Sequence, residues 1–215
     1  MQRPYILINF AISADGKIGT AQKGPSQFTS KADLDRLLVI RLRADALLVG
    51  RGTLEADEMT MTIPAKLNPP KQPLRCIISR EGKFDFSHKV FQTSGGDIHL
   101  IATTLKQSIS HPPDTNLHCL SLSEFLHYAK DTLQIETLLC EGGGSLVKEL
   151  FALDVVDEIN LTLAAHSLIG GKTAPTITGL PGDFLSASRS YELTDFEPTD
   201  EDELFATWKR RKDEK

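Results

Sequence analysis

The feature that most constrains this fold is an apolar, strand-like run that ends in three glycines and continues into a helix-like segment. It covers residues 138–150, LLCEGGGSLVKEL. Glycine lacks a Cβ and adopts positive φ without steric cost, so successive glycines let the backbone approach a ligand closely. A helix that begins there presents unpaired N–H groups and the positive end of its dipole, which suits a phosphate. The segment therefore predicts a strand–turn–helix unit with a ligand at the carboxyl end of the strand.

A second turn of the same kind lies upstream, where the apolar residues 46–49 run into Gly50-Arg51-Gly52-Thr53. One glycine run is a weak signal, because many strand-to-helix turns are built this way for packing alone. Two such turns favour a nucleotide ligand. We predict that they face each other across one crevice wide enough for a dinucleotide.

Apolar, strand-like runs alternate with helix-like segments along most of the chain. Strand patterns cover residues 5–12, 46–49, 74–79, 97–102, 117–120, 136–140 and 157–165, and helical patterns cover 30–43, 123–133 and 145–153. Ser30 and Ser123 are the expected N-caps of the first two of these helices. Two late strands, 191–196 and 204–208, are expected to pair as an antiparallel hairpin.

This alternation predicts an α/β fold with a mostly parallel central sheet, helices on both faces and a C-terminal antiparallel hairpin. The chain shows no internal repeat and no break in composition. We therefore expect residues 1–215 to form a single domain.

Composition narrows the partners of the chain. A formal net charge of −5 argues against a nucleic-acid partner, and no apolar run approaches the roughly 20 residues of a membrane-spanning helix. Cys76, Cys119 and Cys140 lack CxxC spacing, so buried free thiols in a reducing, cytoplasmic compartment are expected. The six histidines show no metal-ligand spacing, and no metal site is expected.

Four motifs, in order, resemble those of one enzyme family. They are AISADGKI at 11–18, RLRADALLVGRGTLEAD at 41–57, EGGG at 141–144, and VDE at 156–158 followed by IGG at 169–171. On these residues the chain resembles the reductase domain of riboflavin biosynthesis, the 5-amino-6-(5-phosphoribosylamino)uracil reductase family, which is similar in fold to dihydrofolate reductase. The resemblance spans about residues 5–175. Nothing matches the family's zinc deaminase half, so a stand-alone reductase is expected.

The resemblance implies hydride transfer from NADPH to C1 of an opened ribose, held as an imine, which gives a ribityl side chain. The cofactor positions that the resemblance implies are Ala11, Phe28, Thr53, Asp57, Gly143, Gly144, Ser145 and Leu146. Gly50 and Gly142, which belong to the two glycine turns, are expected to contact the cofactor as well. The family usually has tryptophan at Phe28, so a flat apolar wall is kept and an N–H donor is lost. Ser79 and Arg80 close a strand, and Arg80 is expected, from position and charge alone, to pair with the 2′-phosphate.

The resemblance also implies substrate positions at Ser26, Arg41 and Glu141. Arg41 offers a planar fork of donors to an anionic or carbonyl group, and Glu141 offers an acceptor to the amine groups of a pyrimidine. Lys17 and Asp15 lie on the turn that would face this small-molecule substrate, where Lys17 would contact phosphate or a ring oxygen. A turn role explains Asp15 about equally well. No residue is assigned as the catalytic group.

One departure from the family pattern concerns the phosphate of the substrate. Bacterial members carry P-x-L-T-x-R after the second motif, and here Pro64 stands where that Arg would grip the ribose phosphate. Lys66 and Lys71 lie nearby in sequence, but each offers a point charge instead of a fork. Loss of a charge-assisted bond costs about 1.5–3 kcal/mol.

Two alternatives therefore stay open: a dihydrofolate-reductase-like NADPH oxidoreductase with another substrate, and a non-catalytic nucleotide-binding regulator. Members of the family are usually homodimers. The hairpin after Gly171 is the expected interface element.

Overall fold

The computed structural model describes residues 2–22, 28–104, 110–179 and 190–211. The chain divides into two compact units, the first comprising residues 1–5 and 38–139 and the second residues 6–37 and 140–215. The single domain expected over residues 1–215 stays a prediction beside this division.

Nine strands and five α-helices are present among the described residues, and every predicted strand is among them with small shifts at its ends. In chain order they are β1 (Tyr5–Ser13), α1 (Lys31–Arg41), β2 (Ala46–Gly50), α2 (Arg51–Asp57), β3 (Leu74–Ser79), α3 (Lys89–Gln92), β4 (Ile98–Ala102), β5 (Thr115–His118), α4 (Leu122–Asp131), β6 (Thr137–Cys140), α5 (Gly144–Ala152), β7 (Glu158–Ala164), β8 (Tyr191–Pro198) and β9 (Glu203–Arg210). A 3₁₀ turn, Ala65–Leu67, lies between α2 and β3.

The first unit is built on strands in the order β5-β4-β3-β2-β6, and β2 through β5 pair in parallel. Leu47, Leu48 and Val49 of β2 are fully buried, as is Leu100 of β4. Strands that are covered on both faces read as continuous apolar runs, which is why their sequence pattern does not alternate.

The second unit is built on strands in the order β1-β7-β9-β8. β1 and β7 are parallel, whereas β9 is antiparallel to both β7 and β8. The predicted α/β class, with a mostly parallel sheet and a C-terminal antiparallel hairpin, is confirmed.

Helix capping confirms one sequence prediction and corrects another. The Ser30 hydroxyl accepts a hydrogen bond from the N–H of Asp33 at 3.2 Å, which is the expected cap of α1. The cap of α4, however, is Ser121 and not Ser123. Ser121 and Glu124 form a complete capping box, with the side chain of each bonded to the backbone N–H of the other. The Ser-x-x-Glu spacing fits residue 121 and fails at residue 123.

Arg36 fixes the first half of α1 to the late strands. Its guanidinium donates to the Leu161 carbonyl at 2.8 Å and the Ala206 carbonyl at 2.9 Å, and also to the hydroxyls of Thr162 and Thr207. A planar fork with five donors can meet several acceptors at once. Arg36 therefore has a structural role within the second unit.

The cysteines only partly follow the prediction. Cys76 and Cys140 are buried and free, and burial raises the pKa of each thiol to about 12, which leaves them unreactive. Cys119 is exposed, so the prediction of burial is wrong there. β5 ends at His118, and Cys119 therefore lies beyond the end of the strand.

None of the helices in the described part of the chain is both long and apolar enough to cross a membrane.

Candidate functional site

The glycine turn after β6 has the strand–turn–helix form that the sequence predicts. Gly142 has φ +122°, a conformation that L side chains rarely adopt, so glycine is required there. Gly143 is the N-cap of α5, and no side chain caps it. Among the described residues, the first N–H of the helix with a backbone partner is that of Val147, which donates to the Gly143 carbonyl at 3.1 Å. The preceding N–H groups of the helix are thus the natural donors for an anion.

Gly144 has a packing role as well. A Cβ there would lie 2.6 Å from the Gly179 nitrogen and 2.9 Å from the Thr176 carbonyl oxygen. The turn formed by residues 176–179, which is closed by a hydrogen bond from the Gly179 N–H to the Thr176 carbonyl at 3.0 Å, therefore passes against the first residue of α5. Any side chain at Gly144 would push the two backbones apart. Its assignment to the cofactor stays a prediction.

Ser145 and Leu146 occupy the first turn of α5 in different ways. Ser145 is exposed, whereas Leu146 is buried. The side chain of Leu146 thus belongs to the core, and only its backbone N–H is available to a ligand. Glu141, half-buried, follows β6 directly and precedes the turn. The strand and helix therefore bring a carboxylate and a set of N–H donors to one strand end.

The turn after β1 is held by Asp15. Its carboxylate accepts from the Ser13 hydroxyl at 2.6 Å, the Ile169 N–H at 3.2 Å and the Gly170 N–H at 2.8 Å. The bond from Ser13, followed by the two backbone bonds, lowers the pKa of Asp15 from 3.8 to about 2. These bonds favour the turn interpretation of Asp15 over direct contact with substrate. They also tie the loop that carries Lys17 to the loop after β7.

Strand β1 carries a polar residue that the sequence analysis missed. The Oδ1 atom of Asn9 is buried and has no hydrogen-bond partner among the described residues. Asn9 pairs in register with Asn160 of β7, two positions before the predicted cofactor residue Ala11, which pairs with Thr162. Buried acceptors are seldom left unpaired. A lone amide in an apolar strand was the signal that marked this position in the sequence.

Phe28 is half-exposed, and its carbonyl accepts a hydrogen bond from the Ser167 hydroxyl at 3.1 Å. The other residue predicted in this stretch, Ser26, lies outside the described residues.

The second predicted turn, in the first unit, also has the expected form. Gly50 is the N-cap of α2, with an extended backbone and no side-chain cap. Thr53 is half-buried in the first turn of α2, and Asp57 is the exposed last residue of the helix. Residues four apart lie on one face of a helix, so Thr53 and Asp57 point to the same side. That this turn and the α5 turn face one crevice stays a prediction.

Strand β3 ends at Ser79, which is buried, and Arg80 follows it into solvent. Backbone hydrogen bonds from Thr103 and Thr104 hold the carbonyls of these two residues. The Arg80 side chain is therefore exposed on an anchored backbone.

A cavity of about 410 Å³, hereafter the α2 pocket, opens in the first unit. It lies between α2 and the loop that follows β3. Its lining residues are Arg51, Glu55, Gly82, Lys83, Phe84, Asp85, Phe86 and Ser110. Arg80 is the one residue of this loop that the sequence pattern singled out, and it does not line the pocket.

Arg41, predicted to contact substrate, is buried at the end of α1. One of its N–H groups donates to the Thr62 carbonyl at 2.8 Å. The neighbouring Ile63 is clamped in turn, through its N–H and carbonyl, by the amide of Gln72. Arg41 therefore helps to hold the segment before Pro64, and its predicted contact with substrate stays a prediction.

Pro64, which replaces the family's phosphate-binding Arg, is exposed and precedes the 3₁₀ turn. The two nearby lysines, Lys66 and Lys71, are exposed as well. Lys71 forms an ion pair with Asp45 at 3.0 Å. Lys66 lies closer to Pro64 along the chain.

Within residues 2–22, 28–104, 110–179 and 190–211, no three histidine, cysteine or acidic side chains are arranged to hold a metal ion. The most closely associated histidines are His99 and His118, whose Nδ1 and Nε2 atoms lie 2.9 Å apart.

The chain is similar in sequence to a known protein family. The sequence profile of the RibD C-terminal domain matches residues 4–204. The 2,5-diamino-6-ribosylamino-4(3H)-pyrimidinone 5′-phosphate reductase of Archaeoglobus fulgidus is 25% identical over 193 residues, 81% of this chain and 86% of the relative. The reductase of the same name from Methanothermobacter thermautotrophicus is 28% identical over 188 residues, 81% of this chain and 83% of the relative.

A solved structure has the same fold. A pyrimidine reductase-like protein from Corynebacterium diphtheriae superposes with a TM-score of 0.78 at 19% identity, and the match covers 98% of this chain and 93% of that one.

Proposed function

Because this chain belongs to the RibD C-terminal domain family, we propose that it is an NADPH-dependent reductase of riboflavin biosynthesis. It reduces the ribosyl side chain of a ribosylaminopyrimidine 5′-phosphate to the ribityl form. The bound cofactor supplies the hydride. The residues of this chain bind and orient the two molecules.

The observation that carries this proposal is the uncapped start of α5 at Gly142 and Gly143. Its N-cap, Gly143, has no side chain to bond the first N–H groups, and Gly142, with φ +122°, adds no side chain at the strand end. Such a turn fits the pyrophosphate of a dinucleotide. We assign that role to the backbone of Gly143, Ser145 and Leu146.

On the substrate side, we assign Glu141, Lys17 and Asn9. Glu141 accepts from amine groups of the pyrimidine, and Lys17 provides a cation for the phosphate. The buried Oδ1 of Asn9 lacks a partner among the described residues and is suited to accept from a bound hydroxyl or amine. Ser26 and Arg41 remain further candidates.

Two related pyrimidines share the ribosylamino phosphate. One is 5-amino-6-(5-phosphoribosylamino)uracil, and the other, for which the archaeal relatives are named, carries an amine in place of the 2-carbonyl. A site that bonds one of these groups rejects the other, because its buried polar partner would be left unpaired. Paired assays therefore identify the substrate.

The test measures NADPH oxidation at 340 nm with each pyrimidine phosphate and with dihydrofolate. Turnover of either pyrimidine and not of dihydrofolate is expected. Saturating NADPH should also raise the melting temperature, since a ligand at 100 times its Kd stabilises the folded state by about 2.7 kcal/mol. If millimolar NADPH produces neither stabilisation nor turnover, the proposal is contradicted.

Pro64 favours a second candidate, a dihydrofolate-reductase-like NADPH oxidoreductase that acts on a substrate without a phosphate. In that case the pyrimidine phosphates fail while another small molecule is reduced. A non-catalytic nucleotide-binding regulator would bind NADPH without loss of absorbance at 340 nm for any substrate.

We further propose that the protein is a homodimer assembled through one face of its late strands. The pairing register places apolar side chains of three strands on this face, namely Ile159, Leu161, Leu163, Leu193, Phe196, Leu204, Ala206 and Trp208. Leu193 is 52% exposed and Phe196 is 57% exposed. After Tyr191 every residue of β8 is exposed. A second copy would bury this apolar surface.

A cytoplasmic location is part of the same proposal. It is supported by the free thiols of Cys76 and Cys140, which are typical of a reducing compartment. The negative net charge favours a small molecule over nucleic acid as the partner.

A further inference from the structure

A single stretch of chain contacts both of the turns to which the proposed function assigns ligands. It comprises residues 165–179 and is hereafter the bridging segment. It begins where β7 ends, and β7 is a parallel neighbour of β1 with Ala164 opposite Ser13 in register. The carboxyl ends of neighbouring parallel strands meet at one edge of a sheet. The bridging segment therefore starts beside the turn formed by residues 14–18, hereafter the β1 turn.

Asp15 joins the β1 turn to the first half of the bridging segment. Its carboxylate accepts from the N–H groups of Ile169 at 3.2 Å and Gly170 at 2.8 Å. A backbone hydrogen bond from the Ala14 N–H to the Ser167 carbonyl, at 2.8 Å, adds to these. Together these contacts fix the bridging segment where it leaves the sheet.

The same carboxylate orients the backbone of Lys17. It accepts from the hydroxyl of Ser13 at 2.6 Å, and that hydroxyl accepts from the Lys17 N–H at 3.1 Å. Ser13 is fully buried, and its own N–H donates to the Lys17 carbonyl at 2.9 Å. Asp15 thus holds both the bridging segment and the residue assigned to the substrate phosphate.

The far end of the bridging segment lies against α5. The Ile18 N–H donates to the Pro175 carbonyl at 2.9 Å, and the turn at residues 176–179 follows directly. A Cβ on Gly144 would lie 2.6 Å from the Gly179 nitrogen in that turn. Gly144 is the first residue of α5, whose first N–H groups suit the pyrophosphate of the cofactor. The bridging segment therefore contacts the proposed cofactor turn and the proposed substrate turn at once.

Little else holds the bridging segment in place. Ala174 is the only buried residue among residues 165–179, all of which the structure describes. Gly170 and Gly171 have positive φ, and a Cβ on either would meet no described atom within 4 Å.

The hydrogen bonds of Asp15 are also open to competition. Asp15 is exposed, so water competes for these bonds and their net contribution to stability is small. A region with few buried contacts rearranges at a low cost in free energy. A ligand that favours one arrangement of the bridging segment can therefore shift it.

We infer that the bridging segment couples the two ligand sites, so that bound cofactor tightens the binding of the pyrimidine phosphate, and that Asp15 is the positioning residue for this coupling. The inference rests on the proposed reductase function. Asp15 touches neither ligand and acts through Lys17 and the bridging segment.

The coupling has a simple physical origin. When the cofactor orders the turn at residues 176–179, part of the entropy cost of ordering the β1 turn is already met, so the second ligand binds more tightly. The effect is reciprocal, because one coupling free energy governs both ligands.

The test measures the Kd of the pyrimidine phosphate by calorimetry, with and without saturating NADP⁺. The pyrimidine is whichever of the two phosphates is reduced in the 340 nm assay. NADP⁺ carries the pyrophosphate but no hydride to transfer, so nothing reacts. For the wild type, NADP⁺ should lower this Kd about fivefold or more.

For Asp15→Asn, the two Kd values should agree within about twofold. A merely structural defect would weaken the pyrimidine equally with and without NADP⁺ and would leave their ratio unchanged. The matched control is Asp131→Asn, which alters an exposed aspartate at the end of α4 and should keep the wild-type ratio.

Amide hydrogen exchange, followed by NMR, supplies a second measurement. NADP⁺ should slow the exchange of the Ile169 and Gly170 amides of the wild type, which donate to Asp15. Asp15→Asn should lose this slowing. The wild-type measurement requires neither turnover nor a folded variant.

Three outcomes would overturn the inference. If the wild type binds no nicotinamide dinucleotide and reduces neither pyrimidine, the proposed function fails and the inference fails with it. If both ligands bind but NADP⁺ leaves either the Kd of the pyrimidine or the exchange of the two amides unchanged, only the inference fails. If folded Asp15→Asn keeps the wild-type ratio, Asp15 is not the positioning residue.

Discussion

Glu203, which is fully buried in β9, accepts two hydrogen bonds from Ser30 at the start of α1. The backbone N–H of Ser30 donates at 2.8 Å and its hydroxyl at 2.5 Å. A capping box supplies the first of these bonds from within the helix. Here a strand 173 residues away supplies it.

Removal of this carboxylate should destabilise the fold. Glu203→Ala leaves the N–H and hydroxyl of Ser30 without their acceptor, at a cost of about 1–3 kcal/mol. Urea unfolding followed by circular dichroism measures the change. Glu192→Ala, at an exposed position of β8, is the control and should stay within about 0.5 kcal/mol of the wild type. Equal stabilities of the two variants would mean that the Ser30–Glu203 contact contributes nothing.

The hydrogen bonds to Asp15 predict a pH dependence. Because the pKa of Asp15 falls to about 2 in the folded state, its contribution is present above the unfolded-state value of 3.8 and is lost as pH falls toward 2. The urea midpoint of the wild type should therefore exceed that of Asp15→Asn near neutral pH, and the difference should shrink between about pH 4 and pH 2.

The control for Asp15 is Asp131→Asn, another exposed aspartate, at the end of α4. A difference between wild type and Asp15→Asn that does not change with pH would contradict this account.

The close approach at the start of α5 makes Gly144 irreplaceable. Gly144→Ala would place a methyl group 2.6 Å from the Gly179 nitrogen, and relief of such a clash costs about 1–3 kcal/mol. Gly19→Ala is the matched control, because a Cβ there meets no atom of the described residues within 4 Å. Thermal unfolding of both variants gives the comparison. A Gly144→Ala protein as stable as the control would show that the turn at residues 176–179 yields freely.

The apolar face of the late strands predicts the oligomeric state. Leu193→Glu and Phe196→Glu place charges on this face and should convert the dimer into a monomer, as measured by sedimentation velocity. Leu168→Glu is the control, because Leu168 is 78% exposed and does not belong to β8 or β9. A monomeric wild type, or a dimer that survives both changes, would rule this interface out.

Patterns that depend on near neighbours could be predicted well. Strand–glycine–helix turns, a serine at the start of α1 and a turn at Asp15-Gly16 all follow from backbone preferences within a few residues. The prediction of Ser123 as the cap of α4 was wrong, although this signal is also local. Glu124 lies three residues after Ser121, so Ser121 and not Ser123 forms the capping box. The prediction that Cys119 is buried was wrong because the sequence does not specify sharply where a strand ends.

Residue types and their local spacing determined which strands and helices form, and where a glycine turn joins β6 to α5. Only the tertiary structure decided which distant group each residue contacts: Glu203 for Ser30, the Gly179 backbone for Gly144, and Arg51 beside Lys83 in the α2 pocket. The physical reason is that secondary structure follows from short-range periodicity and allowed dihedral angles. Contacts between residues far apart in sequence exist only after strand order and register have brought them together.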